Sequence, residues 1–207
     1  HDAKASQRYL SGTGYALVRK GEGFAGGGPN GASGVLALTL DGQVTFQSSL
    51  VEMGQGLEST VRNILLASFD LGDADICCAT GSTDAGADSG PTSASRGTQI
   101  ALRLIRAGKM PFLEKLYVGA AEILQVPMDA LRLGPGGFYQ RMAPQNKPDL
   151  SLSDLAASAG EIVTQIVIPG IETMQAGANV HTLFTACAAR ARVRIDRWTG
   201  QVACTGL

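Results

Sequence analysis

The chain has 207 residues, enough for one large domain or two small ones with ample material for a core. Its 17 Lys and Arg against 18 Asp and Glu leave a net charge of −1, which removes the electrostatic case for nucleic acid or a membrane surface as partner. No apolar run reaches the length of a membrane span and the polar start His1-Asp2-Ala3-Lys4 is no signal peptide, so the sequence reads as cytoplasmic.

In chain order, residues 12–19 read as a strand and residues 21–34 as a glycine-rich loop. Gly21, Gly23 and Gly26 match a dinucleotide fingerprint, but Gly27-Gly28-Pro29-Asn30-Gly31 cannot open the helix that a Rossmann unit needs. Strands are expected over 35–40 and 43–50, joined at Asp41-Gly42, a strong hairpin signal. Leu57, Val61, Ile64, Leu65 and Ser68 then recur at helical spacing until Leu71-Gly72.

A short strand over 75–80 carries Cys77 and Cys78 on opposite faces. With Cys187 and Cys204 they show neither metal-ligand nor disulfide-scaffold spacing and read as small buried hydrophobes in a reducing compartment. After the loop 81–91, Ser93 or Ser95 is the expected cap of a helix with Leu102 and Ile105 on its buried face. Gly108 and Pro111 should break it, with a second helix resuming through Leu113, Leu116, Tyr117, Ala120 and Ile123. Residues 134–149 read as a Pro/Gly-rich loop, and Ser151 as the cap of a short helix over 151–159 with Asp154 at its third position.

The remainder is β-like, over 161–168, 181–196 and 201–205, with Trp198-Thr199-Gly200 as the last turn. Arg190, Arg192 and Arg194 share one strand face, which at this net charge reads as a solvated face rather than a site. The fold class expected is α+β: mixed sheets with helices 57–70 and 94–124 packed on them. A first subdomain would span residues 1–133 and a smaller, mainly β one residues 151–207, with residues 134–150 as linker.

Two segments carry chemistry. Glu52-Met53-Gly54-Gln55-Gly56-Leu57 and Ser89-Gly90-Pro91-Thr92-Ser93-Ala94-Ser95-Arg96 each run into a helical pattern. Unpaired N–H groups and the positive dipole end at a helix start hold anions, so two such corners suggest a ligand with several negative oxygens. Gln55 between two glycines offers an amide where a structural turn favours Asn or Asp. The hydroxyls of Thr92, Ser93 and Ser95 exceed the single cap that a helix needs. His1 and His181 are too isolated for a metal site, and Asp84 and Asp88 read as loop-turning acids.

In order, these residues resemble the molybdenum hydroxylases, the xanthine dehydrogenase and aldehyde oxidase family, in the molybdopterin-binding large subunit. The resemblance rests on Glu52-Met53-Gly54-Gln55-Gly56 with Thr60, on Gly81-Ser82-Thr83-Asp84, on Ser89 to Thr98, and on Ala191 to Val202 with its Asp196-Arg197-Trp198-Thr199-Gly200 turn. It runs from about Gly12 onward, and Asn63 departs from it where the family commonly has Gln.

The resemblance implies an internal part of a molybdopterin-binding domain, in an oxidoreductase that hydroxylates an aldehyde, purine or other N-heterocycle with water-derived oxygen. Met53, Gly54, Gln55 and Gly56 would lie along the pterin and the metal's equatorial side. Thr92, Ser93, Ala94 and Ser95 would bind the phosphate end of the cofactor, in its plain or cytosine dinucleotide form. The family's general base lies in a later segment, so no catalytic residue and no protein metal ligand is expected here, and the isolated chain is not expected to be catalytic. The expected partners are the remaining molybdenum-domain segments or subunit, iron–sulfur and FAD domains, and a small-molecule substrate. Alone the chain is expected to self-associate. The competing expectation is a non-catalytic scaffold that keeps the fold without the cofactor.

Overall fold

A computed structural model of the chain describes residues 8–24, 31–84, 87–142, 146–169 and 183–207. In chain order these form β1 (Tyr9–Glu22), β2 (Ala32–Leu38), β3 (Val44–Ser48), α1 (Leu57–Phe69), β4 (Ile76–Thr80), α2 (Gly97–Leu124) and β5 (Leu131–Gly134). There follow β6 (Gly137–Gln140), β7 (Leu150–Ser151), α3 (Leu152–Ala159), β8 (Ile162–Ile168), β9 (Leu183–Asp196) and β10 (Val202–Gly206). The class is α+β, as the sequence indicated.

The chain divides into two compact units, His1–Glu22 with His181–Leu207, and Gly23–Val180, rather than at residues 134–150. In the first, β9 lies between β1 and β10 in an antiparallel sheet, with Tyr9 opposite Asp196 and Glu22 opposite Leu183. Arg192 and Arg194 stand exposed, and the Arg194 guanidinium lies 4.8 Å from the Tyr9 ring centre, as suits a solvated face. Arg8 closes the sheet end, its Nη2 2.6 Å from Asp196 Oδ2 and its guanidinium 4.7 Å from the Trp198 ring centre.

The second unit holds the four-stranded sheet β4-β3-β2-β8, in which β3 and β4 run parallel and the other pairs antiparallel. Thr39 N bonds Gln43 O at 2.9 Å, so the β2–β3 loop is three residues long, with Gly42 left-handed at φ 79. A parallel pair needs a crossover, and α1 supplies it. Leu57, Val61, Leu65 and Phe69 repeat every fourth residue and are buried, while Asp70, left-handed at φ 55, ends the helix before Leu71-Gly72. Leu36, Phe46, Leu65, Leu104, Ile105 and Phe112 are fully inaccessible and centre the core.

Four expectations need correction. First, α2 is one helix of 28 residues, unbroken at Gly108 and Pro111. Pro111 removes the N–H that would bond the Ala107 carbonyl, but both residues are exposed, so water can satisfy that oxygen. Gly108 lies buried against Ile166 and Leu36, and a Cβ there would stand 2.7 Å from Ile166 Cγ1, so the glycine lets the helix approach the sheet. The buried face uses Ile100, Leu104, Phe112 and Leu116, whereas Leu102 is half-buried and Ile123 is exposed.

Second, α2 is capped by neither Ser93 nor Ser95. Ala94 and Ser95 both take φ 53, in the left-handed region, so helical geometry begins only at Arg96. Third, much of 134–149 is packed structure: Pro135-Gly136 turns β5 into β6, Phe138 pairs with Leu150 of β7, and the Phe138 ring meets Tyr117 edge-on at 5.0 Å. Gly137 carries φ 152, and a Cβ there would overlap the Leu150 carbonyl oxygen, so only glycine fits. Fourth, the cysteines are free thiols but not buried: Cys187 and Cys204 are exposed, and Cys77 and Cys78 are half-buried. Ser151 does cap α3, its Oγ accepting from Asp154 N at 3.0 Å. The loop expected at 21–34 is shorter, since residues 21–22 belong to β1 and 32–34 to β2; residues 25–30 and His181 lie outside the described residues.

Candidate functional site

Both motif segments lie in the second unit, beyond the end of β3. In the first, the Gln55 side chain closes its own loop. Its Oε1 accepts from Met53 N at 2.5 Å and its Nε2 donates to Val51 O at 2.8 Å. Met53 is 68% exposed, and Gly54 and Gln55 are exposed beside it.

Glu52 alters the reading of this corner. Its carboxylate accepts from Gly54 N at 2.7 Å, Gly56 N at 3.1 Å and Glu58 N at 3.1 Å, covering the first turn of α1. The Glu58 N–H, with those of Gly56, Gly54 and Leu57 behind it, holds this carboxyl below the ordinary glutamate range. The sequence presented this helix start as open to an external anion. It is filled by a carboxylate of the same chain.

The second corner is different. No side chain caps α2, whose first backbone bond joins Ile100 N to Arg96 O at 2.8 Å. The N–H groups of Gly97, Thr98 and Gln99 have no acceptor among the described residues. The two left-handed residues before the helix are costly for L-amino acids, roughly 1–2 kcal/mol each. They are held by Gly23 N on Ala94 O at 2.9 Å and Arg96 N on Ser93 O at 3.2 Å. Strain maintained beside uncapped donors is a common property of ligand sites.

Side-chain hydrogen bonds join the two segments, forty positions apart in sequence, into one wall. Thr92 Oγ1 accepts from Val51 N at 2.8 Å. Ser49 and Ser89 exchange bonds, Ser89 N to Ser49 Oγ at 2.8 Å and Ser49 N to Ser89 Oγ at 3.2 Å. Ser89 Oγ also donates to Ser33 O at 2.8 Å, and Ser33 Oγ accepts from Asp88 N at 2.6 Å. A cleft of ≈ 770 Å³ opens beside Gly90 and Pro91, lined also by Ala32, Val167 and Ile168.

Of the residues singled out in the sequence, Thr92 is thus brought to the first loop, Ser93 and Ser95 are exposed at the uncapped helix start, and Ala94 supplies a carbonyl to Gly23. Asp84 turns its own loop, its N bonded to Ser82 Oγ at 3.1 Å. Asp88 Oδ1 accepts from Gly90 N at 2.9 Å. Among the described residues no cluster of His, Cys, Asp and Glu could hold a metal ion.

Sequence reasoning missed three participants: Glu52 as the cap of α1, the Ser49–Ser89 pair, and Arg96, which is fully buried. An acid a few residues before a helix start was a visible sign of the first. An arginine set among Ser, Ala and Gly could have marked the third. The donor set suits a large ligand with one anionic end: uncapped N–H groups at Gly97 to Gln99 beside exposed serines at the second corner, an already neutralised glycine loop at the first.

A family model described as a molybdopterin cofactor-binding domain matches residues 1–206. The chain is 28% identical over 191 residues to a probable xanthine dehydrogenase subunit of Bacillus subtilis (strain 168), covering 92% of this chain and 25% of that one. Its fold matches quinoline 2-oxidoreductase of Pseudomonas putida 86 at a TM-score of 0.64 and 18% identity, covering 99% of this chain and 27% of the other. It also matches CO dehydrogenase of Oligotropha carboxidovorans at 0.59 and 19%, covering 99% and 27%. The chain therefore spans about a quarter of the length of these relatives. With those residues matched end to end, the chain belongs to the molybdopterin cofactor-binding domain family.

Proposed function

We propose that this chain holds the phosphate end of molybdopterin at the start of α2, within an oxidoreductase that hydroxylates an aldehyde, purine or other N-heterocycle. The observation that carries this is the uncapped helix start behind the strained Ala94-Ser95 pair, tied to the Met53–Gly56 loop through Thr92. Thr92, Ser93, Ala94 and Ser95 position the phosphate oxygens with hydroxyl and N–H groups. Met53, Gly54, Gln55 and Gly56 lie along the neutral pterin, with the Gln55 amide anchoring the loop. When bound, the cofactor supplies the redox centre, and the protein's share is binding, orientation and electrostatics.

The likeness to a xanthine dehydrogenase component in Bacillus favours a purine among the substrate classes and supports companion polypeptides beside this chain. The remaining molybdenum-domain segments, the iron–sulfur centres and FAD are the proposed partners of these residues in the assembled enzyme, and catalysis is proposed to need them. The cytosine dinucleotide form is favoured by the bacterial relatives and by the ≈ 770 Å³ cleft beside Gly90 and Pro91, which has room for a further group. Exposed free thiols at Cys187 and Cys204 suit a reducing cytoplasm.

The test is Thr92→Val in the assembled enzyme, a near-isosteric change that removes the bond to Val51 N. Pterin and molybdenum retention should fall roughly tenfold, as for loss of a supporting contact in other cofactor sites. Full retention in a folded variant contradicts the assignment.

A second reading, a scaffold without cofactor, is favoured by Glu52, which already satisfies the first helix start. Under it Gln55→Ala leaves the metal content and activity of the complex unchanged, whereas under the first reading both decline.

A further inference from the structure

Among the described residues of the second unit, the deepest charge lies under the proposed phosphate corner. Arg96 is 0% exposed, and its guanidinium is held by backbone oxygens: Nη1 donates to Ser89 O at 2.8 Å and Pro91 O at 3.0 Å, and Nη2 to Gly31 O at 3.0 Å. Its Nε has no hydrogen-bond partner among the described residues. No carboxylate among the described residues lies within ion-pair distance of it. Gly90 permits this seat, since a Cβ there would stand 2.8 Å from Arg96 Nη1.

A buried cation without a counter-ion is costly unless something compensates it. Neutral carbonyls satisfy its hydrogen bonds, while the Asp88 charge, acting from beyond ion-pair distance, offsets only part of its own and Arg103 repels it. The carbonyls also orient the loop. In a trans peptide the C=O and N–H point in opposite directions, and the described residues contain no cis bond. With the Ser89 and Pro91 oxygens turned toward Arg96, the N–H groups of Gly90 and Thr92 face away from it. Asp88 Oδ1 already takes the Gly90 N–H, an acid drawn to that outer side, while the Thr92 N–H has no acceptor among the described residues.

We infer that Arg96 is a positioning residue for the anionic end of the cofactor: a buried positive charge that turns the 89–92 peptides outward and, without touching the ligand, sets the anion affinity of the α2 start. This rests on the phosphate assignment above. The charge lies in protein while the corner lies at the surface, so its field there is screened less than that of a surface charge but still responds to salt. Burial lowers the guanidinium pKa, yet an arginine stays protonated at any physiological pH, so the charge is permanent. The uncapped donors at Gly97 to Gln99 add to it at the same place.

The experiment is calorimetric titration of the full chain with inorganic pyrophosphate at several salt concentrations, on the parent, Arg96→Lys and Arg96→Gln, each at matched folded fraction by circular dichroism. The parent should bind, Arg96→Gln roughly tenfold more weakly with a shallower salt dependence, and Arg96→Lys, which keeps the charge, within about threefold of the parent. Equal affinity of parent and Arg96→Gln overturns the role of Arg96 and leaves the phosphate corner standing. No pyrophosphate binding by the folded parent overturns both. Should Arg96→Gln not fold, Arg96→Lys decides: a folded lysine variant that loses binding tenfold or more makes the role one of hydrogen-bond geometry alone and overturns the inference.

Discussion

At the scale of single residues, charge placement separates the two helix starts. Glu52 neutralises one with its own carboxylate, and Arg96 underlies the other. Both residues were visible in the sequence, but the direction in which each side chain turns depends on contacts that no local pattern encodes. Arg96 reaches Gly31, 65 positions away. Gln55 was read as an amide free for a ligand, yet both of its polar ends serve its own loop, because Val51 and Met53 lie within reach of a left-handed turn at Gly54.

Asp196 offers a pH test at this scale. The Arg8 side chain, then the Trp198 N–H, hold its carboxyl down at about 2. Its contribution to the end of the β1–β9 sheet is complete above the ordinary aspartate value, about 4, and is lost as pH falls through the folded value. Trp198, the only tryptophan in the sequence, donates its backbone N–H to Asp196 Oδ1 at 2.9 Å and has its ring 4.7 Å from the Arg8 guanidinium, so it reports the change. Its fluorescence should shift between about pH 4 and 2. Asp196→Asn should abolish that transition, and its persistence in the variant would assign it to another group.

At the scale of elements, helical and strand periodicity gave α1, the β2–β3 hairpin, α3 and the three late strands within a few residues. Breakers misled it. Pro111 and Gly108 read as a helix end because local propensity ignores that one faces solvent and the other meets Ile166. Residues 134–149 read as loop because Pro and Gly outnumber apolar side chains there, although Phe138 packs on Tyr117 and, with buried Leu131 and Leu133 before it, anchors a hairpin. The placement of α1 is tested by Leu65→Ala. Leu65 is 0% exposed in the central core, so the cavity should cost about 2–5 kcal/mol by denaturant melting. An unchanged midpoint and slope would show that the helix does not bury this face.

At the scale of the whole molecule, the sheet of the first unit is short of cover. Leu10 is 54%, Tyr15 77%, Leu17 83% and Val18 59% exposed, and apolar surface on this scale marks an interface. The isolated chain should therefore self-associate, or need a companion polypeptide to cover this surface. Light scattering across a dilution series should show mass rising with concentration, and a concentration-independent monomer would count against it. Which strand lacks cover was not legible in the sequence, because exposure of a strand face depends on the elements that pack on it.

The family and the two motif loops were legible because glycine, amide and hydroxyl clusters before helices are local signals. What the fold added is their junction through Thr92 and Val51 and the asymmetry between them. The central claim is that this junction holds molybdopterin. Its most direct test is the molybdenum and pterin content of the purified, fully assembled complex containing this chain, by elemental analysis and by fluorescence of the released, oxidised pterin. The account predicts close to one molybdenum and one pterin per copy of the chain, both lowered together by Thr92→Val. A complete complex that carries neither would contradict it.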